Sequence, residues 1–519
     1  KGFTIHTYAV KFGHDQDVLV GNVMVNFYGK FQNMDEAEAV FWTMPQRDVA
    51  SWNNLIHHKG HVKESIQMFC RMQLEGIVPD QATFIYIVDT CATLEDFDNG
   101  RVCHVAIQSS HHHHDLAIGI ALLRMYGKCG RLDEAKTVFA QMPQKNIVSW
   151  NAIIKACVQN GENKEALNLF YQLQEMGMCP DKVTFLYALN VCDVWKLLEE
   201  GRKLHAIIIS VGYGENQEIG HALISMYGKC HSLEDSNIVF NRLNHKTVVS
   251  WNAVLTACRQ NMHETMALAL FHQMENEHVE PDKITYICAL DACASIAALS
   301  EGESIHNMIT DKGWEIDTVV GNALINMYGK CGNINKAMSI LRNMSCRDVV
   351  SWSSLIAICA QNGQADMALS LFQQMKLDGV DPNHISFTCA LTACSQVGLI
   401  DHGRQYFASI TKDYGMVPTL EHYVCIIDLL SRSGHLDEAE ELIGQMPYKK
   451  VPMVCLNLLG ACHKYGDVER GEKAFMKCLE LESDNSAPYV IMANLYSSAG
   501  MHEDAAKVRE ALKSKIMRK

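Results

Sequence analysis

The chain has no Cys-x-x-Cys pair among its 20 cysteines, no apolar run approaching the ~20 residues that cross a bilayer, and no excess of positive charge. Each absence excludes something. Cysteines that recur inside apolar helical runs, such as Cys129, Cys230 and Cys331, or Cys293 and Cys394, read as buried free thiols and not as a disulfide framework or a zinc site. Lys plus Arg total 45 against 59 Asp plus Glu, a formal net charge of −14, so any nucleic-acid role must rest on local positive positions. No phosphate-binding loop, hydrolase elbow or paired-carboxylate cleft occurs. His278-Val279-Glu280 matches half of a zinc-deaminase signature, but no Cys-x-x-Cys completes it, and it reads as a chance match. The run His111 to His114 reads as a loop with at most weak metal affinity. The expected protein is therefore not an enzyme in itself, carries no cofactor or metal, and has no membrane partner.

What the chain does have is a period. Ser51-Trp52-Asn53, Ser149-Trp150-Asn151, Ser250-Trp251-Asn252 and Ser351-Trp352-Ser353 place their tryptophans 98, 101 and 101 residues apart. Tyr28-Gly29-Lys30, Tyr126-Gly127-Lys128, Tyr227-Gly228-Lys229 and Tyr328-Gly329-Lys330 keep the same intervals. Two independent anchors with one spacing define a repeat array, whose units bury their apolar faces on one another. Pro180-Asp181, Pro281-Asp282 and Pro382-Asn383 subdivide the period into units of 35, 35 and 31 residues. A partial long unit 1–17 precedes 18–48, 49–80, 81–115, 116–146, 147–181, 182–216, 217–247, 248–282, 283–317, 318–348, 349–383, 384–419 and 420–450. Unit 49–80 has only 32 residues, and its deficit falls around His57-His58-Lys59-Gly60. The chain opens at Lys1 in mid-repeat, which implies an N-terminal continuation in which a targeting segment could lie.

Each unit reads as two helices. In 147–181, Trp150, Ile153, Ile154 and Cys157 follow the i, i+3, i+4, i+7 pattern; Asn160-Gly161 breaks it, and Ala166, Leu167, Leu169, Phe170 and Leu173 resume it. Stacked helix-turn-helix units make an all-α α-solenoid with one helix of each pair lining a concave surface. Acidic pairs such as Asp35-Glu36, Asp133-Glu134, Glu234-Asp235 and Asp437-Glu438 fall where second helices begin, where carboxylates offset the helix dipole.

The 35/35/31 rhythm, Val-Val-Ser-Trp-Asn opening one unit, Gly-Asn-Ala-Leu-Ile-x-Met-Tyr-Gly-Lys-Cys-Gly in the short one and Met-x-x-x-Gly-x-x-Pro-Asp closing the standard one resemble plant pentatricopeptide repeat proteins that alternate standard, long and short repeats. Residues 451–484, with Leu456-Asn457-Leu458-Leu459-Gly460-Ala461-Cys462, and 485–519, with Tyr489-Val490-Ile491-Met492-Ala493-Asn494-Leu495-Tyr496, resemble the two extension motifs of organellar RNA-editing factors. The resemblance implies a right-handed superhelix that binds single-stranded RNA, one base per repeat, and specifies a cytidine for C-to-U editing in a mitochondrion or chloroplast. The deaminase would come from a further domain or from another protein, and a deaminase-bearing partner or other editing cofactor would dock through 451–519.

The resemblance also implies residue roles. Base identity would be read by the fifth and last residues of a unit: Asn22/Asp48, Asn53/Asp80, Asn151/Asp181, Asn252/Asp282 and Asn322/Asp348 favouring uracil, and Ser353/Asn383 favouring adenine. An amide carries a donor and an acceptor where a carboxylate only accepts, so such a pair can distinguish base edges. Units 116–146 and 217–247, with Ile120/Asn146 and His221/Thr247, depart from the pattern; the long units carry Ile85, Leu186 and Ile287, which cannot hydrogen-bond a base. Val148, Val249 and Val350 would sandwich bases, and Lys30, Lys128, Lys229, Lys330 and Arg432 would meet phosphates. From the residues alone, the Asn and Asp positions also suit helix caps and turns, the valines suit a core, and the lysines suit helix C-termini. Two other functions fit a repeat array: an RNA stability, splicing or translation factor, and a protein-binding scaffold like tetratricopeptide arrays.

Overall fold

The computed structural model describes Lys11 and residues 17–58, 62–448, 451–481 and 485–516. Unit 1–17 lies almost wholly outside the described residues, as do Lys59 and Gly60 of the shortened unit. Among the described residues there are 30 helices and no strand.

First helices begin at the first residue of their units, as in Ile147–Gln159, Lys182–Trp195 and Gln217–Lys229, and second helices follow after a short turn, as in Asn163–Glu175. The boundaries have local causes. Asp80, Asp181, Asp348, Asn146 and Asn383, each the last residue of a unit, accept the backbone N–H three residues on, while the Ser or Thr there receives the cap's own N–H. Such a reciprocal cap contributes about 1 kcal/mol per helix. At the other end, Gly161 (φ +77°) and Gly177 (φ +74°) take the left-handed turn that closes the two helices of unit 147–181.

The chain forms two compact bodies, residues 1–261 and 262–519. In the first, the first helices from Val18–Lys30 to Val248–Gln260 pack consecutively into one row, and each second helix packs on its own first helix and on the first helix of the next unit. The second body, from Lys283–Ile296 to Ala487–Ser498, repeats this two-layer arrangement. Each body is an α-solenoid.

The tryptophan of the Ser-Trp-Asn block is the inter-unit fastener. Trp52, Trp150 and Trp251 meet Phe41, Phe139 and Phe240 of the preceding unit edge to face at 4.8, 4.8 and 4.7 Å. All three indoles are buried. The glycine of Tyr-Gly-Lys sets how closely neighbouring first helices approach: a Cβ on Gly127 would stand 2.6 Å from the Ala156 Cβ and 3.2 Å from its Cα.

Candidate nucleic-acid interface

The repeat fold brings the fifth and last residues of a unit together across 26 to 30 residues of sequence. Asn22 Nδ2 donates to Asp48 Oδ1 at 3.1 Å, Asn53 to Asp80 at 3.0 Å, Asn151 to Asp181 at 3.0 Å and Asn322 to Asp348 at 3.4 Å. Ser353 Oγ lies 3.3 Å from Asn383 Oδ1 and 2.6 Å from the Val349 carbonyl oxygen. Asn252 is buried on Val248–Gln260 in the first body, and Asp282 caps Lys283–Ile296 in the second by accepting the Thr285 N–H at 2.9 Å.

The same Asp oxygen caps the next helix. Asp181 Oδ1 accepts the Thr184 N–H at 2.9 Å as well as the Asn151 amide, and Asp48 Oδ1 likewise takes the Ser51 N–H at 2.8 Å. Capping and amide pairing are thus one arrangement. Burial alone would raise these carboxyls, but the backbone N–H and the asparagine amide, joined at Asp48 and Asp348 by the serine hydroxyl, outweigh it, so Asp48, Asp80, Asp181 and Asp348 sit below the usual carboxylate range. They are ionised at neutral pH. Each asparagine keeps a second amide N–H, and each carboxylate its Oδ2, that these contacts do not use.

Beside Asn22, Asn151, Asn252, Asn322 and Ser353, one turn earlier on the same helix, stands a large aliphatic side chain, with Ala50 in that place before Asn53. Val148, Val249 and Val350 are half exposed (51, 53 and 50%) and so do not belong to the core. Leu19, Val183, Ile284, Val319 and Ile385 occupy the same second position and are also exposed. These five were not singled out from the sequence, because helical periodicity counts an apolar residue as buried whichever way it faces; recurrence at position two was the available signal. Within each body, half-exposed aliphatics beside amides make slots suited to flat apolar faces with polar edges.

The predicted cations divide. Lys30, Lys128 and Lys330 end their helices exposed, with no ion pair among the described residues. Lys229 Nζ lies 2.7 Å from Asp193 Oδ2, and Arg432 Nε 3.0 Å from Asp428.

The departing units are built differently. Asn146 caps Ile147–Gln159 through Ser149, and the Ile120 side chain has no group with which to pair it. His221 Nε2 lies 2.8 Å from Ser250 Oγ, replacing the amide–carboxylate contact by a ring–hydroxyl one. Ile85, Leu186 and Ile287 are part-buried. His278 turns left-handed at φ +56° and Glu280 is paired with Lys312 at 2.8 Å, so the two lie in an ordinary helix-ending turn. His113 and His114 line a cavity of about 650 Å³ with His104 and Met142. No cluster of three metal-ligating side chains occurs among the described residues.

Fold and site together define a helical-repeat protein in which units 18–48, 49–80, 147–181 and 318–348 each hold one amide–carboxylate pair, its asparagine on the first helix. Residues 145–192, 246–295 and 347–396 match the PPR repeat family, 22–49, 121–147, 322–349 and 421–451 match the PPR repeat, and 465–519 match the E motif. The chain belongs to the pentatricopeptide repeat family, in its class of alternating standard, long and short repeats with an E motif. It is 33% identical over 521 residues to a chloroplastic pentatricopeptide repeat-containing protein of Arabidopsis thaliana, spanning 100% of this chain and 64% of that protein. A mitochondrial one from the same plant is 33% identical over 523 residues, with 100% and 68% covered. The crystal structure of PPR10 from maize shares the fold with a TM-score of 0.71 at 16% identity, covering 96% of this chain and 79% of that one. PPR10 in complex with an 18-nt psaJ RNA element matches with a TM-score of 0.62, 16% identity, and 97% and 85% covered.

Proposed function

We propose that this chain binds single-stranded RNA sequence-specifically, one base per repeat, and selects a cytidine for C-to-U editing in a plant organelle, with the deaminase supplied by a further domain or a partner protein. The observation that carries the reading is the recurring contact of Asn22, Asn53, Asn151 and Asn322 with Asp48, Asp80, Asp181 and Asp348, flanked by exposed aliphatics. A stacked or paired base hides its edges, so such slots suit unpaired RNA, and amide–carboxylate pairs suit uracil. A family member solved with RNA, relatives named chloroplastic and mitochondrial, and the E motif at 465–519 support the RNA, the organelle and the editing role in turn.

The test is a binding assay with RNA carrying uracil opposite units 18–48, 49–80, 147–181, 248–282 and 318–348 and adenine opposite 349–383. Preference for it over a scrambled RNA of equal length is expected; equal affinity would move the reading to a protein-binding scaffold. For editing, plants lacking the gene should lose conversion at a cytidine a few nucleotides beyond the base facing 420–450. Loss of transcript or splicing with conversion intact would assign another RNA role.

A further inference from the structure

Standard and short units hold their reading asparagine differently. In the standard units, Thr83 Oγ1 lies 2.6 Å from Asn53 Oδ1 and Thr184 Oγ1 2.6 Å from Asn151 Oδ1. Each threonine is the third residue of the following unit. In the short units the equivalent Ser51 and Ser351 lie 2.8 Å from Asp48 Oδ1 and Asp348 Oδ1, and Asn22 Oδ1 and Asn322 Oδ1 are buried with no hydrogen-bond partner among the described residues. Where the fifth residue is not asparagine the hydroxyl still tends to reach it: Ser386 Oγ is 2.7 Å from Ser353 Oγ, and Ser250 Oγ 2.8 Å from the longer His221 ring.

We propose that Thr83 and Thr184 are positioning residues for base reading. A threonine hydroxyl has one proton and two acceptors in reach, Asn151 Oδ1 at 2.6 Å and Asp181 Oδ1 at 2.9 Å. The carboxylate oxygen already accepts the Thr184 N–H and the Asn151 amide, whereas the asparagine oxygen has no other partner among the described residues, so the proton goes to the asparagine. The result is a closed relay. Thr184 donates to Asn151 Oδ1, Asn151 Nδ2 donates to Asp181 Oδ1, and the amide plane is held at both ends. Its remaining N–H is then fixed toward the slot, where it meets a carbonyl acceptor such as those of uracil and opposes an exocyclic amino group. In the short units only the carboxylate end is held, so their asparagines are less constrained and discriminate less.

This inference rests on the RNA-reading function and adds to it a residue outside the pair. It is tested with Thr184→Val, which keeps shape and removes the proton. The expected result is that preference for uracil over cytosine at the single nucleotide facing 147–181 falls by about five-fold, the worth of one ordinary hydrogen bond, while preferences elsewhere stay. Thr184→Ser, which restores a hydroxyl, should regain it. Ser149→Ala is the control: Ser149 completes a helix cap in the same way but follows Ile120 and holds no amide, so it should lower stability without changing any base preference. Thr83→Val provides an independent copy, its effect moved to the nucleotide facing 49–80. Equal loss for all bases, or base preferences as unaffected as in Ser149→Ala, would overturn the positioning role. A wild-type protein with no uracil preference at these nucleotides would instead overturn the reading function itself.

Discussion

A single carboxylate oxygen of Asp48, Asp80, Asp181 and Asp348 makes two contacts, a helix cap and an amide pair, and under the proposed function this ties folding to recognition at the scale of one residue. Asp181 Oδ1 holds the N-terminus of Lys182–Trp195 and the Asn151 amide at once. Asp181→Ala is therefore expected to lower stability by about 0.5–2 kcal/mol through the lost cap and also to abolish base preference facing 147–181. Asn151→Ala should separate the two. The cap through Thr184 N–H remains, so the melting temperature should change little, while discrimination at that one nucleotide falls by about 1–3 kcal/mol and other positions are untouched. Thermal melting beside binding to RNAs varied at that nucleotide checks both; a uniform loss of affinity for every RNA would show that Asn151 supports the helix and reads nothing.

Between elements, the recurring device is a histidine on a buried tyrosine, the pair joining the second helix of a long unit to the first helix of the short unit after it. His104 Nδ1 lies 2.7 Å from the Tyr126 hydroxyl, His205 2.9 Å from that of Tyr227 and His306 2.9 Å from that of Tyr328. Burial lowers all three imidazoles below 6.5, with Arg242 adding to the effect on His205 and Lys336 on His306. Burial likewise pushes Tyr126 and Tyr328 up to about 12. Because the folded histidines take protons at lower pH than the unfolded ones, the unfolded chain binds more protons once the pH falls below 6.5, and stability is lost in that direction. Melting temperature should fall between pH 7.5 and 5.5, and replacing all three histidines by glutamine should remove part of that slope; a slope unchanged by the replacement would place the sensitivity in other groups. Close packing gives a second element-scale expectation. Gly127→Ala drives a methyl to 2.6 Å from Ala156, and overpacking of this kind costs about 1–3 kcal/mol, read as a lower melting temperature.

Over the whole molecule, what repeats was legible in the sequence and what depends on a particular neighbour was not. The solenoid follows from spacing, because a residue recurring in every unit occupies one place in every unit, whereas the meeting of Asn151 with Asp181 was implied by the family resemblance and is seen in the structure. The role of Thr184 is hidden because a hydroxyl three residues after a cap looks the same whether or not an amide stands beside it. The lysines show the limit most plainly: Lys128 and Lys229 are equivalent in sequence, yet Lys229 meets Asp193, a carboxylate 36 residues away in the preceding unit, and Lys128 has no such partner among the described residues. On a chain of net charge −14, the proposed function calls for local cations to attract a phosphate backbone, and Lys30, Lys128 and Lys330 are the exposed candidates. For single-stranded nucleic acid the slope of log K against log salt changes by about 0.7 for each phosphate contact. Lys128→Ala should thus flatten the slope by about that amount. Lys229→Ala should flatten it less, because a phosphate must first displace Asp193 from an ammonium 2.7 Å away. Asp193→Ala should steepen it by releasing that lysine, and Asp193→Ala combined with Lys229→Ala should cancel the gain. Salt titrations of the wild type and the four variants on one RNA decide the matter: equal slopes throughout would remove these lysines from the RNA backbone and leave the attraction to other residues.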